Sequence, residues 1–202
     1  FDFGLIRCLY GFALGALLQR FAGSAIRSGR DRLGNAGAAA FAAVANDGVL
    51  MKPLLVKAIT DRKGRPVKTF GPEPVRRAVS SLTAKTIRRI MKTVITEGGT
   101  GVNAALEGYS VCGKTGTAQK IDESGTYAKN RYLASFVGFA PADHPELTIL
   151  VIVDEPQGQN YGGIVAAPAF RKIAQETLNH LNVPPTTNKQ NRLTASQGEA
   201  VG

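Results

Sequence analysis

Residues 108–120 read GYSVCGKTGTAQK, and the fold of the whole chain turns on the local backbone of this stretch. Gly108, Gly113, Lys114 and Thr115 satisfy G-x-x-x-x-G-K-[ST], a loop whose backbone N–H groups cradle phosphate. That reading needs a buried strand just before the loop and a helix just after it, because the helix N-terminus supplies the free N–H groups and the dipole. Ile149 to Glu155, ILVIVDE, adds a second loose match to the magnesium-binding strand of nucleotide hydrolases. Both flanks of the loop argue against it. Residues 98–107, GGTGVNAALE, lack a β-branched apolar run, and residues 116–130 carry Gly116 and Gly125 without a helical stripe. Tyr109, Val111 and Cys112 favour extended backbone. A phosphate-loop NTPase is therefore the least favoured reading, and Tyr109 to Gln119 reads as a strand.

In a strand, alternate side chains point to opposite faces. Lys114 and Gly116 then share one face, and Thr115 and Thr117 share the other. Gly116 removes a side chain where a second backbone must approach closely. A peptide can add to such a strand edge through main-chain hydrogen bonds. Taken alone, K-T-G also fits an ordinary strand with a surface lysine.

The neighbouring text predicts an α+β chain: an antiparallel β-sheet flanked by amphipathic helices. Ala42 to Leu50 reads as a helix end stopped by Asn46-Asp47-Gly48. Leu54 to Thr60 and Pro66 to Phe70 read as a hairpin around Asp61-Arg62-Lys63-Gly64. Ser81 to Glu97 is an amphipathic helix with Ser81 as N-cap, Ile87, Ile90, Met91, Val94 and Ile95 on one face, and Gly98-Gly99 at its end. Leu133 to Ala140 and Leu147 to Val153 are strands joined by a short connection, which favours antiparallel pairing. The continuous apolar run at 147–153 predicts a central strand buried on both faces. Ala166 to Leu181 is a second helix, with Pro168 in its first turn and Phe170, Ile173, Ala174, Leu178 and Leu181 on one face. Pro184-Pro185 stops it, and the polar tail 186–202 reads as disordered.

The formal net charge of +10 suits an anionic partner: nucleic acid, a lipid surface or a polyanionic wall, with solubility as the plainer explanation. The basic residues are spread out, which disfavours a nucleic-acid tail. Cys8, Cys112, His144 and His180 make no metal-ligand spacing, so no metal and no cofactor are expected, and Cys112 reads as a small core residue. The apolar run Leu9 to Leu18 is bounded by Arg7 and Arg20 and falls short of the roughly 20 residues of a membrane span. The chain begins with Phe1, which suggests a piece of something longer.

Several blocks occur in order: AAVANDGVLMKP at 42–53, a helix ending ITEGGTG at 95–101, GYSVCGKTGTAQK at 108–120, RYLASFVGFAPA at 131–142, ILVIVDEP at 149–156 and YGGIVAAPAFRKIA at 161–174. Together they resemble class B penicillin-binding proteins, the monofunctional peptidoglycan D,D-transpeptidases, over residues 41–185. The resemblance implies a partial penicillin-binding, β-lactamase-like fold and a serine acyltransferase chemistry. It implies that Lys114, Thr115, Gly116 and Thr117 bind substrate, with Lys114 also supporting the catalytic hydroxyl network. Thr115 and Thr117 would hold the terminal carboxylate of a D-Ala-D-Ala stem peptide or a β-lactam, and the Thr117 N–H would face the oxyanion. It further implies cell-wall synthesis partners, no nucleic acid, and work at the periplasmic face of the bacterial inner membrane, although this chain carries no anchor.

The match breaks at the nucleophile. No Ser in the sequence has Lys three residues later, and none has Asn two residues later, so neither S-x-x-K nor S-x-N is present. The chain is expected to be inactive alone, with the N-terminal part of the parent enzyme missing. A non-enzymatic module that binds peptidoglycan or a partner through the strand edge is the alternative. Residues 1–40 are Ala/Gly/Arg-rich and atypical. Read one base later, the codons for Gly34 to Ala40 can spell V-T-P-V-Q-L-L, which suggests out-of-frame text. A native helical segment is the rival explanation.

Overall fold

A computed structural model describes residues 30–122 and 124–186 of the chain. Expectations placed on residues 1–29, and on the tail beyond Thr186, lie outside the described residues.

Three strands form the central sheet: β5 (Cys112–Ile121), β6 (Tyr127–Ala140) and β7 (Leu147–Asp154). The order is β5-β6-β7, antiparallel throughout, with Thr115 opposite Phe136 and Phe136 opposite Val151. Helix α1 (Arg30–Ala45) and helix α2 (Ser81–Lys92) cover one face; the short helix α3 (Gly162–Val165) leads into α4 (Ala167–His180) on the other. Each face therefore has its own core. Phe136 and Phe170 meet at a centroid distance of 4.8 Å beneath α4, with Ala174 and Leu178 alongside. Phe41, Val44, Met91, Cys112, Val137 and Phe139 fill the α1–α2 side. Burying a large apolar side chain contributes about 1.5–3 kcal/mol, so these two layers hold the sheet between helices in the α+β manner.

The apolar run of β7 is explained differently from the expectation. β7 lies at the margin of the described sheet, not its centre, and Ile152 is 44% exposed. The run is continuous because helices pack both faces: Leu147, Ile149, Val151 and Val153 turn towards the α4 core and Leu150 towards the α1 core. Cover on both faces leaves no side for polar residues to alternate onto. β6 is the central strand, and it starts earlier than its apolar text suggests. Asp122 accepts backbone hydrogen bonds from Ser124 and Thr126, which closes the β5–β6 hairpin and carries the exposed Lys129 to Arg131 into the ladder.

Helices α2 and α4 end by mechanisms the apolar spacing does not reveal. The N-cap of α2 is Ser80, whose hydroxyl accepts from the Thr83 N–H at 3.0 Å; Ser81 is the first helical residue. Its C-terminus comes at Lys92, short of Gly98. Over Thr93 to Ile95 the bonds shorten to the i−3 pattern, and the Thr93 hydroxyl competes for the Ile90 carbonyl. In α4, Phe170, Ala174 and Leu178 are buried as expected, but Ile173 and Leu181 are about half exposed. The stop is Asn182 at φ +55, not the prolines: Val183 N–H reaches Leu178 O and Asn182 N–H reaches Asn179 O. This is a Schellman closure with Asn in the left-handed position.

Residues 49–77 form two small antiparallel pairs, β1 (Val49–Met51) with β4 (Pro74–Arg77), and β2 (Ala58–Thr60) with β3 (Pro66–Thr69). The second is the expected hairpin, although its first strand starts at Ala58 rather than Leu54. Asn46–Gly48 ends α1 as read, with Asp47 and Gly48 both at positive φ.

Candidate functional site

The K-T-G-T residues lie inside β5, extended and on a margin strand of the sheet. β5 is followed by the β5–β6 hairpin rather than a helix, so the backbone cannot wrap a phosphate and the phosphate-loop reading fails. The Asp-Glu at the end of β7 is also accounted for. Asp154 and Glu155 both pair with the buried Lys120, Glu155 at 2.7 Å, and Glu155 accepts from Arg131 at 2.7 Å. Burial alone would depress the Lys120 ammonium, but Asp154 and Glu155 outweigh it and raise its pKa. Lys120 and Arg131 in turn hold the Glu155 carboxyl below its ordinary range.

Beside β5 lies a cavity of about 540 Å³ whose wall includes Lys114, Thr115, Gly116 and Thr117. All four residues singled out from the sequence therefore meet at one concave surface. Lys114 pairs in register with Val137 on the α1 side, and Thr115 with Phe136 on the α4 side, as strand alternation requires. The Lys114 ammonium donates to the Thr115 carbonyl at 2.7 Å, and burial lowers its pKa. The Thr115 and Thr100 hydroxyls are 3.0 Å apart. The Thr117 hydroxyl accepts from the Gly162 N–H at 3.3 Å and donates to the Asn160 carbonyl at 3.4 Å. Those two contacts are long, so the Thr117 hydroxyl is held loosely compared with a bond of ordinary length.

The close backbone approach expected at Gly116 occurs one layer away. A Cβ on Gly116 would meet the Ser135 hydroxyl at 2.5 Å, a side chain on β6. The backbone contacts fall on Gly162, which presses on the carbonyls of Ser135 and Gly116, and on Gly163, which presses on the Thr100 carbonyl. Asn103 Nδ2 donates to Gly163 O at 2.9 Å and ties the loop 98–104 to α3. Thr100, Asn160, Tyr161, Gly162 and Gly163 also line the wall and were not named as site residues from the sequence. The signal for two of them was present: paired glycines directly before an apolar helix mark a close backbone approach.

Comparison with known proteins matches this geometry to one family. The penicillin binding protein transpeptidase domain model matches residues 36–175. Stage V sporulation protein D of Bacillus subtilis is 43% identical over 153 residues, covering 75% of this chain and 23% of that protein. The peptidoglycan D,D-transpeptidase FtsI of Escherichia coli is 38% identical over 139 residues, covering 67% of this chain and 24% of that protein. Among solved structures, the TP domain of Burkholderia pseudomallei penicillin-binding protein 3 superposes with a TM-score of 0.62 at 39% identity, covering 75% of this chain and 43% of that one. Penicillin binding protein 3 from a Mycobacterium, complexed with aztreonam, superposes with a TM-score of 0.66 at 35% identity, covering 75% and 36%. The chain spans about a quarter of the length of these two curated relatives. With a family model spanning most of the described residues and the K-T-G-T strand at a cavity wall, this chain belongs to the penicillin-binding protein transpeptidase family, among the class B members.

Proposed function

We propose that the β5 cavity is the substrate-recognition half of a peptidoglycan D,D-transpeptidase site. The observation that carries this reading is the convergence of Lys114, Thr115, Gly116 and Thr117 on one cavity at the margin of the sheet. The ligand is the D-Ala-D-Ala end of a stem peptide, or a β-lactam that mimics it. A solved relative bound to aztreonam supports the second. Thr117, loosely held, takes the ligand carboxylate. Thr115, steadied by Thr100, backs it. Lys114 supplies positive charge on the other face of the strand, towards the nucleophile. The parent enzyme works at the periplasmic face of the bacterial inner membrane, with other cell-wall synthesis proteins.

The chain by itself recognises without acylating, because it has no S-x-x-K serine to form the covalent bond. In this respect it behaves as the binding module that the sequence left open. Residues 41–185 act as the C-terminal part of the transpeptidase domain. For residues 1–40 the shifted-frame reading competes with a native helical segment, which sequencing of the coding DNA decides, and the family match beginning at residue 36 favours native sequence for residues 36–40.

The test has two arms on the full chain. A fluorescent penicillin should leave no covalent label after denaturing electrophoresis. Titration with N-acetyl-D-Ala-D-Ala, followed by amide NMR, should move the signals of residues 114–117, and Lys114→Met should weaken the response at least tenfold. A covalent adduct contradicts the recognition-only reading. Shifts confined to other residues, or none, contradict the site.

A further inference from the structure

The arm of residues 52–78 stands apart from both cores. β2 and β3 pack substantially only on each other, and every residue of both strands is exposed. A lone two-stranded hairpin is marginal in water, so its composition bears on what it meets. The arm exposes aliphatic side chains that belong to neither of the two described cores: Leu54, Val56, Ile59, Val67 and Val75, with Leu55 97% exposed. Its two acids are both matched, Glu73 to Lys52 at 2.8 Å and Asp61 to Arg65 at 2.8 Å. Lys57, Arg62, Lys63, Lys68, Arg76 and Arg77 have no acidic partner among the described residues.

We propose that this arm docks on an anionic lipid surface, with the Leu54–Val56 segment entering the headgroup layer and the surrounding cations resting on lipid phosphates. Charge and apolarity together select this occupant. A purely anionic polymer would match the cations but leave Leu54, Leu55 and Val56 in water. Protein interfaces are depleted in Lys and enriched in aromatic anchors, whereas this arm carries Lys52, Lys57, Lys63 and Lys68 and its one aromatic, Phe70, is covered by Lys68 at 5.0 Å. Interleaved aliphatic and basic side chains are the chemistry of the bilayer interface, where long cationic stems reach the headgroups while apolar groups sink below them. The proposal is independent of the β5 cavity and stands or falls separately.

Vesicle flotation of the full chain tests it. Binding is expected to vesicles containing phosphatidylglycerol and not to pure phosphatidylcholine, and it should weaken as salt shortens the Debye length from about 10 Å to about 3 Å. Each basic residue near such a surface contributes roughly fivefold to partitioning, so Arg62→Glu, Lys63→Glu and Lys68→Glu combined should lower it at least a hundredfold. The same reversals at Arg171 and Lys172, exposed on α4, should do far less. Leu55→Ser with Val56→Ser should weaken binding several-fold with no change in charge. All these positions are exposed, and circular dichroism checks that the variants fold. No flotation with phosphatidylglycerol overturns the proposal. So does equal binding to both lipids, or indifference to the arm variants. Retention on soluble polyglutamate that competes fully with vesicles and ignores the Leu55 and Val56 changes would assign the arm to a soluble polyanion instead, and would also overturn it.

Discussion

Gly162→Ala sets two effects of opposite sign against each other. Gly162 opens the helical turn α3, and replacing a helical Gly by Ala stabilises by at most about 1 kcal/mol through propensity. Against this, the new methyl would lie 2.6 Å from the Gly116 carbonyl oxygen and closer still to that of Ser135. Carbon–oxygen contacts of this type lie at roughly 3.3 Å or beyond. The obstructing atoms are backbone of β5 and β6, where Gly116 and Ser135 are register partners, so neither can yield without disturbing the ladder. Overpacking of this kind costs about 1–3 kcal/mol, which outweighs the propensity gain. The comparison is Gly37→Ala in α1, whose methyl would meet only the Leu150 Cδ2 atom at 3.3 Å, the far end of a side chain that can rotate. Urea unfolding of both variants gives the answer. With m of about 2 kcal/mol/M, the Gly162 variant should lose about 0.5–1 M in midpoint at unchanged m, while the Gly37 variant holds or gains. The Gly162 variant should also respond less to N-acetyl-D-Ala-D-Ala, because the displaced turn takes its N–H away from the Thr117 hydroxyl. If the Gly162 and Gly37 variants both gain stability, close packing of α3 on the strand is wrong.

Two further outcomes follow from charge and burial. Glu155 has its carboxyl pKa lowered in the fold by Lys120 and Arg131, so its contribution is present above the unfolded value, near 4.5, and is lost as pH falls through the lowered folded value. The stability gap between the native chain and Glu155→Gln should therefore be steady near neutrality and shrink below about pH 4.5; a gap that ignores acid removes the ion-pair explanation. Cys112 is fully buried, its thiol donates to the Arg88 carbonyl at 3.2 Å, and burial pushes its pKa up to about 12. Iodoacetamide at pH 8 should leave Cys112 unmodified in the folded chain and alkylate it in urea, read by mass spectrometry of its peptide; rapid native labelling would contradict the packing.

What could be read in advance was whatever a single side-chain pattern reports. The i, i+3, i+4 spacing of Ile87, Ile90 and Met91 located α2, because one helix face must be apolar to meet a sheet. The alternation around Lys114 and Thr115 gave the β5 faces for the same reason. The helix stops were not legible. Thr93 and Asn182 end helices through backbone and hydroxyl hydrogen bonds, which leave no periodic trace and lie beside the Gly and Pro residues that look like better stops. The rank of β7 among the described strands was not legible, because an apolar run reports cover on both faces and says nothing of neighbours along the strand's edges. In the site, the K-T-G-T strand stood out by residue type, whereas Thr100 and Asn160 entered through the path of distant loops.

The margin position of β5 ties the fold to the proposed chemistry. In a strand with neighbours on both sides, a ligand can touch side chains from one face only, and never the backbone. On a margin strand, a ligand lying along the edge reaches Lys114 on one face, Thr115 and Thr117 on the other, and the main chain between them. Recognition of a carboxylate-ended peptide and support of a nucleophile can then come from adjacent residues of one strand, with opposite directions fixed by the pleat. The same position makes the edge vulnerable, since it can pair with any extended segment. The turn of α3 pressed against β5 through Gly162 and Gly163 narrows that access to a cavity. A residue with a side chain at either glycine would push the turn outward and widen the opening, so the two glycines bear on selectivity as well as on packing.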